Sequence, residues 1–409
     1  MSSIDLYLKP KLKPQQLVAQ LSAETSAENN SDSNKHVLTY HPDTNEALSL
    51  TMPLRNESYT HNDLHPIFQM NLPEGALREA LEQATAKQYG SDDLTLLTIL
   101  GANQIGRVVY SPAGQPLKLQ TNSELQLDDL LNHQDANLFN ELLSRYAKSS
   151  GVAGVQPKVL IDIQSRLSLP MDRYIVKSWG KEYPHLACNE YVCMNIAKLA
   201  GLEVAETYLS DNAMLLISKR FDLDKEGNAM GFEDFCVLQA KGTKQKYDSS
   251  IEQCANTIRQ YVSAEYQSMC LADFYKLSYL NVRIRNGDAH LKNIGIKYAS
   301  LQDYQNHQIP AVTRKLAPMY DLVSTIPYLK NDIMALTLTG SKRWPKRKVL
   351  QAFAKQHCLL SNKQIKTIEE QVEQAISESL PMLKELQKKH QGFVEVANDM
   401  KILLTSGLQ

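Results

Sequence analysis

The chain has 409 residues but only six cysteines, and no two of them form a C-x-x-C pair. Cys188, Cys193, Cys236, Cys254, Cys270 and Cys358 match no zinc-ligand spacing either. In a chain of this length they read as reduced, mostly buried thiols of a cytosolic protein, not as a disulfide framework. An excess of one charge sign is also missing. Lys+Arg number 44 against 45 for Asp+Glu, which argues against a nucleic-acid-binding field over the whole molecule and leaves only local patches open. Long apolar runs are absent. The longest, Leu94 to Leu100, is too short to span a bilayer, and Met1 to Lys13 lacks the apolar run of a secretory signal. These absences predict a soluble, cytoplasmic protein with no membrane partner. What is present is 43% hydrophobic content, enough for large cores, and a length that suggests two or three domains.

The first third predicts a mixed α+β unit. Asp5 to Leu8, Val37 to Tyr40, Ala47 to Met52 and Arg107 to Tyr110 read as strands. Ala76 to Gln88 and Asp92 to Leu100 read as helices, with Pro73 and Glu74 suited to a first helical turn. Ser22 to Lys35 is rich in Ser, Asn, Glu and Asp without periodicity, so an exposed or partly disordered loop is expected. His61 and His65 have the spacing of a helical metal pair, but Asn62, Asp63 and Pro66 make the segment a loop. No paired catalytic residues stand out, so the unit reads as a docking or accessory domain.

The middle of the chain offers phosphate chemistry in pieces. Leu117 to Ala147 is largely helical in composition and serves as a link. Gly151 and Gly154 then flank small residues ahead of an apolar strand. Such a turn lets backbone N–H groups approach an anion, and Lys158 adds charge, though a plain hairpin turn explains two glycines equally well. The segment is neither G-x-G-x-x-G nor G-x-x-x-x-G-K-[ST]. Arg173 to Lys177 reads as a strand ending in a lysine. Asn189 and Glu190 open a helix running to Ala200, with Glu190 in its first turn and Gly201 after its end. A strand lysine paired with a helix glutamate is how a kinase small lobe holds the α- and β-phosphates; the alternative is a solvent-facing Lys beside an ordinary N-terminal Glu. Leu215 to Asp222 is a strand. Glu233, Asp234 and Phe235 begin a connector whose backbone suits an adenine edge, and Gly242 to Ser250 forms a polar rim.

The stretch from Asn281 to Ile296 carries the sharpest signal. Asp288 and Asn293 stand five positions apart in a short polar segment, the D-x-x-x-x-N spacing of a kinase catalytic loop. One carboxylate must meet the attacking hydroxyl, and one amide oxygen must reach a magnesium ion on the phosphates. Asp321 follows the apolar run from Leu316, where a kinase keeps a second magnesium ligand, so Asn293 and Asp321 are the expected metal ligands. Helices are expected at Cys254 to Tyr261, Ser268 to Val282 and Phe393 to Leu404. A long helix from Ser361 to Gln387 should be interrupted near Pro381.

In this order the residues resemble a HipA-type serine/threonine kinase, the toxin half of bacterial persistence toxin–antitoxin modules. The matching stretches are Gly154 to Lys158, Lys177, Asn189 to Tyr191, Lys219 to Asp222, Glu233 to Cys236, Asn286 to Asn293, Tyr320 with Asp321, and Met334 to Pro345. Met70 to Gly75 resembles part of the small domain that precedes these kinases. The resemblance implies an α+β, bilobal protein-kinase-like fold. Its expected parts are an N-terminal accessory domain (1–115), a linker and small lobe (116–236) and a mainly helical large lobe (237–409). It implies ATP and Mg²⁺ as cofactors. Asp288 is then the catalytic base, and the phosphate loop runs through Val152, Ala153, Gly154, Val155, Gln156 and Lys158. Lys177, the 233–235 connector, His290, Lys292, Asn293 and Tyr320 complete the nucleotide site. It also implies a HipB-like DNA-binding antitoxin, contact with DNA only through that partner, and an aminoacyl-tRNA synthetase as protein substrate, so that phosphorylation halts translation and growth.

Two departures accompany the match. Family members commonly carry an autophosphorylated serine in the Gly-rich loop, where this chain has Gly151 and Ala153. Autophosphorylation is therefore expected either to shift to Ser150 or to be lost. Ala289 replaces a Gly found after the base in some members. Two rival readings stay open: a non-catalytic co-repressor working with an antitoxin, and a small-molecule phosphotransferase. Lys342 to Lys348 holds five basic residues and a Trp, open to nucleic acid but equally a solvated corner. Arg283 and Arg285 either help neutralise phosphate or hold Asp288 in place.

Overall fold

Ile4, Leu6 and Leu8 alternate with more polar neighbours, and in the computed structural model all three are buried along the first strand of an antiparallel sheet. The structure describes residues 3–9, 17–25, 34–74, 78, 81–82, 92–100, 104–117, 126–133, 138–142, 167–170 and 173–408. The expected Gly-rich loop, with Ser150, Gly151, Val152, Ala153, Gly154, Val155, Gln156 and Lys158, and most of the Ala76 to Gln88 helix lie outside the described residues.

The N-terminal sheet has the order β4-β3-β2-β1-β5. Its strands are β1 (Ser3–Leu8), β2 (Leu17–Thr25), β3 (Asn34–Tyr40), β4 (Tyr59–His61) and β5 (Val108–Pro112). Two expectations are corrected here. The polar stretch from Ser22 is not all loop, because Ser22 to Thr25 pair with Asn34 to Val37 and lengthen the β2–β3 hairpin. Ala47 to Met52 is not a strand. It has only isolated bridges, and the Leu50 N–H that a ladder would use donates instead to Glu233 Oε1 at 2.7 Å. Helix α1 (Asp93–Leu100) packs on β1 and β5.

A second sheet, ordered β6-β7-β9-β8, is built from β6 (Leu167–Pro170), β7 (Tyr174–Ser178), β8 (Thr207–Leu209) and β9 (Leu215–Lys219). Helix α2 (Leu186–Leu199) packs against it. Val192, Ile196 and Ala197 are fully buried on one face of α2. The helix stops at Gly201, whose φ of +81° suits glycine; Leu202 N–H returns to the Ala197 carbonyl at 3.1 Å and Gly201 N–H to Lys198 at 3.0 Å, a Schellman closure. Leu186 starts α2 earlier than expected, so Glu190 lies in the second turn, not the first. The dipole argument for it therefore lapses, and its partner is a side chain.

The large lobe is mainly helical. It contains α3 (Ile251–Tyr261), α4 (Ala264–Arg283), α5 (Arg347–Gln356), α6 (Asn362–Lys389) and α7 (Val394–Thr405), plus a small sheet of β10 (Gly231–Asp234), β11 (Gly295–Tyr298) and β12 (Lys315–Leu316). The expected break near Pro381 does not occur, and α6 runs through it for 28 residues. Pro381 and Ser377 are both exposed, so the carbonyl left without a partner by the proline faces water. One buried cluster joins α2 to the large-lobe helices. A second joins the N-terminal sheet to Val176, Leu215, Ile217 and Val237, so the small lobe shares a core with the domain before it.

Candidate active site

The C-terminus of α4 delivers the chain into the loop that bears Asp288. Arg283, at the end of α4, is buried; its Nε and Nη2 donate to Glu373 of α6 at 2.6 and 2.9 Å, and its remaining donors reach the Leu404 and Ser406 carbonyls. Arg285 has a φ of +54°, its carbonyl accepts from Thr325, and its guanidinium lies over Trp344. Arg283 is therefore fully engaged in holding the loop, and Arg285 is stacked on Trp344 beside it. Gly287 has to be glycine: a Cβ there would press on Asp332 and come within 2.7 Å of the Ile333 carbonyl oxygen. Asp288 N–H is held by the Asn286 side chain at 3.1 Å, and Asp288 Oδ1 accepts from the Tyr247 hydroxyl at 3.0 Å.

Beyond Asp288, His290 is buried and its imidazole is pushed down to about 4 by that burial, so it is neutral near pH 7. Lys292 is nearly enclosed. Burial alone would lower its pKa, but Asp234 and Glu74 outweigh this and raise it, with Glu74 Oε1 at 3.0 Å and Asp234 Oδ2 at 3.8 Å. Glu74 in turn is held below the usual carboxylate range: burial opposes this, and Lys292 and Lys246 overcome it. Tyr320 is expected at the nucleotide, yet its hydroxyl donates to the Lys292 carbonyl at 2.7 Å and its ring stacks on Phe221. Its visible work is to brace the loop.

Lys177 reaches from β7 to Glu190 on α2 at 2.6 Å and also pairs with Asp321 Oδ1. Asp321 keeps its carboxylate 43% exposed at a φ of +58°, a strained backbone for a non-glycine residue of the kind that clusters at functional sites. The chain beyond it is fixed by Asn189, whose amide accepts from Ser324 N–H and donates to the Ser324 carbonyl, both within 2.9 Å. Asn293 Oδ1 is buried and accepts no hydrogen bond from any described residue. An orphaned amide oxygen and a half-exposed carboxylate fit magnesium, which asks for few protein ligands and takes the rest from phosphate and water. No cluster of three or more His, Cys, Asp or Glu side chains able to hold a metal occurs among the described residues, His61 and His65 included. Those two rings instead stack edge to face at 4.8 Å.

The role expected of the connector lies in its backbone, and its side chains are engaged elsewhere. Glu233 is fully buried; its carboxylate takes Ser49 Oγ, Leu50 N–H and the Tyr298 hydroxyl, all from 2.5 to 2.7 Å. Asp234 caps the short helix Phe235–Leu238 through Val237 N–H, and Phe235 N–H donates to the Ile294 carbonyl while its ring is wholly buried. Burial raises the pKa of both carboxyls. All three side chains therefore serve packing and joining of domains. Arg220 and Asp222 do the same, as a buried pair that also accepts Gly106 N–H at 2.7 Å.

Sequence reasoning missed Glu74 and Tyr247. Glu74 lies in the Met70 to Gly75 stretch, but a contact to the loop of Asp288, far along the chain, has no local signature. Tyr247 had only its place in the polar rim. In the basic corner, Arg347 pairs with Glu369 at 2.6 Å and Lys342 with the Tyr247 carbonyl at 3.2 Å, so part of that charge is structural.

Known proteins share this chain's domains and fold. The family described as HipA-like C-terminal domain matches residues 150–380, and the HipA N-terminal domain matches 16–111. A Sinorhizobium fredii protein named "Putative kinase Y4mE" is 29% identical over 306 residues, covering 69% of either chain. The similarly named Y4dM of that organism is 29% identical over 302 residues, 68% of this chain and 66% of its own. The fold superposes on Shewanella oneidensis HipA, solved with HipB and operator DNA, with a TM-score of 0.67 over 98% of this chain and 95% of that one at 20% identity. The architecture is thus an α+β kinase-like fold, no helix among the described residues is long and apolar enough to cross a membrane, and the chain is a kinase-like member of the HipA family.

Proposed function

We propose that the protein is an ATP- and Mg²⁺-dependent serine/threonine protein kinase that acts as the toxin of a toxin–antitoxin module. The observation that carries this is the Lys177 ammonium held between Glu190 and Asp321, with the orphaned Asn293 oxygen and Asp288 on the same loop system. Lys177, oriented by Glu190, binds the nucleotide phosphates. Asn293 and Asp321 would hold a magnesium ion, which would supply charge neutralisation on those phosphates. Asp288 orients the acceptor hydroxyl and takes its proton. His290, neutral through burial, offers a hydrogen bond without charge.

A cavity of about 570 Å³ opens outside Asp288, bordered by Leu329 and Ile333, both close to half exposed. A protein segment fits this open, partly apolar rim better than a small polyol does. The family points to an aminoacyl-tRNA synthetase as substrate, a HipB-like antitoxin as partner, DNA contact only through that partner, and action in the cytoplasm. Expression of the wild type should arrest growth and expression of Asp288→Gln should not, with co-expressed antitoxin restoring growth. Equal growth of both strains at equal protein level contradicts the reading.

A further inference from the structure

We infer that Tyr247 is the residue that decides which hydroxyls reach Asp288, by standing in the acceptor's place on the base. The inference rests on the kinase reading above. For Asp288 to take a proton, an acceptor hydroxyl must hydrogen-bond its carboxylate. In this structure a hydroxyl is already there: the Tyr247 phenol donates to Asp288 Oδ1 at 3.0 Å. Its ring meets the His290 imidazole edge to face at 5.2 Å, and it borders the open cavity beside the base. Tyr247 is 38% exposed, so its ring already meets solvent on the cavity side.

Its position is built, not incidental, because the segment bearing it is tied at several points. Thr243 N–H donates to Gln69 Oε1 at 2.9 Å, and Gly242 lies so close to Gln69 that a Cβ would come within 2.8 Å of the same oxygen. Lys246 Nζ donates to Glu74 at 2.8 Å, and the Lys246 carbonyl accepts from Leu291 N–H of the catalytic loop at 3.1 Å. Lys342 Nζ holds the Tyr247 carbonyl. Gln69 and Glu74 belong to the N-terminal domain, so that domain positions the phenol on the base. An acceptor must compete with a tethered hydroxyl at high effective concentration. Water competes poorly, which suppresses futile ATP hydrolysis. A protein segment seated in the cavity competes well because its other contacts hold its hydroxyl there.

The test uses the full chain with Mg-ATP, with and without casein as a generic acceptor, comparing wild type, Tyr247→Phe and Gln69→Ala. Tyr247→Phe keeps the ring and deletes the competing hydroxyl. ATP hydrolysis should rise about fivefold or more, the ratio expected for losing one hydrogen bond to a charged group at a partly exposed site. KM for casein should fall by a similar factor, with KM for ATP unchanged. Gln69→Ala, which loosens the segment, should move both quantities in the same direction by less. A wild type that transfers phosphate beside a Tyr247→Phe variant with unchanged or reduced hydrolysis and unchanged casein KM overturns the inference and leaves the kinase reading standing. A wild type that neither hydrolyses ATP nor labels casein overturns both.

Discussion

At the scale of single residues, the site is a set of charges whose neighbours fix their state. Lys177 serves two carboxylates, and Glu190 beside it is buried. Lys177→Met should lose phosphate transfer and leave Glu190 as an uncompensated buried charge, costing about 3 kcal/mol in chemical denaturation. Burial holds His290 down to about 4 and, with His61 nearby, His65 to about 3. The folded pKa of each lies below its unfolded value near 6.5, so the unfolded chain binds more protons as pH falls. Stability should therefore be full above about pH 6.5 and decline down to the folded pKa. The expected loss is about 2 kcal/mol per histidine between pH 6.5 and 5. Replacing His290 with Gln should flatten part of that decline in thermal melts at pH 5 against pH 7. The meeting of Lys177 with Glu190 and Asp321 was legible from the order of elements, and Asp288 and Asn293 stood out by their D-x-x-x-x-N spacing on one loop. Glu74 and Tyr247 were not, because each acts across the fold: Glu74 pairs with Lys246 and Lys292, and Tyr247 reaches Asp288.

At the scale of elements, local rules predicted most helices and strands to within a few residues and failed where a tertiary partner intervened. Ala47 to Met52 has a strand's composition, but the Glu233 carboxylate captures Leu50 N–H. The proline rule predicted a broken helix, yet Pro381 lies on the water-facing side of α6, where a missing N–H leaves no buried carbonyl stranded. Pro381→Ala should restore one helical hydrogen bond and stabilise the protein by about 1–3 kcal/mol, read as a shift in denaturation midpoint without a change in slope. Gly287 marks the opposite case, a position where shape leaves no freedom. Gly287→Ala should push the loop from Asp332 and Ile333 and reduce phosphate transfer while nucleotide binding persists.

At the scale of the whole molecule, the N-terminal domain packs into the small lobe and reaches the candidate site. Its core continues into β7 and β9 through Val176, Leu215 and Ile217. Its backbone and side chains meet Glu233 and Asp222, and its Glu74 touches the catalytic loop. Unfolding should be one cooperative transition, and Glu233→Ala, which strands Leu50 N–H and the Tyr298 hydroxyl, should cost about 3 kcal/mol or more. Two separated transitions in the wild type would contradict a shared core. The central claim is phosphate transfer through Asp288. Its most direct test is transfer of label from γ-labelled ATP to proteins of a bacterial lysate, comparing the wild type with Asp288→Asn after confirming that both bind ATP. The account predicts labelled serine or threonine in at least one lysate protein with the wild type and none with Asp288→Asn; equal labelling by the two, or none by an ATP-bound wild type, would contradict it.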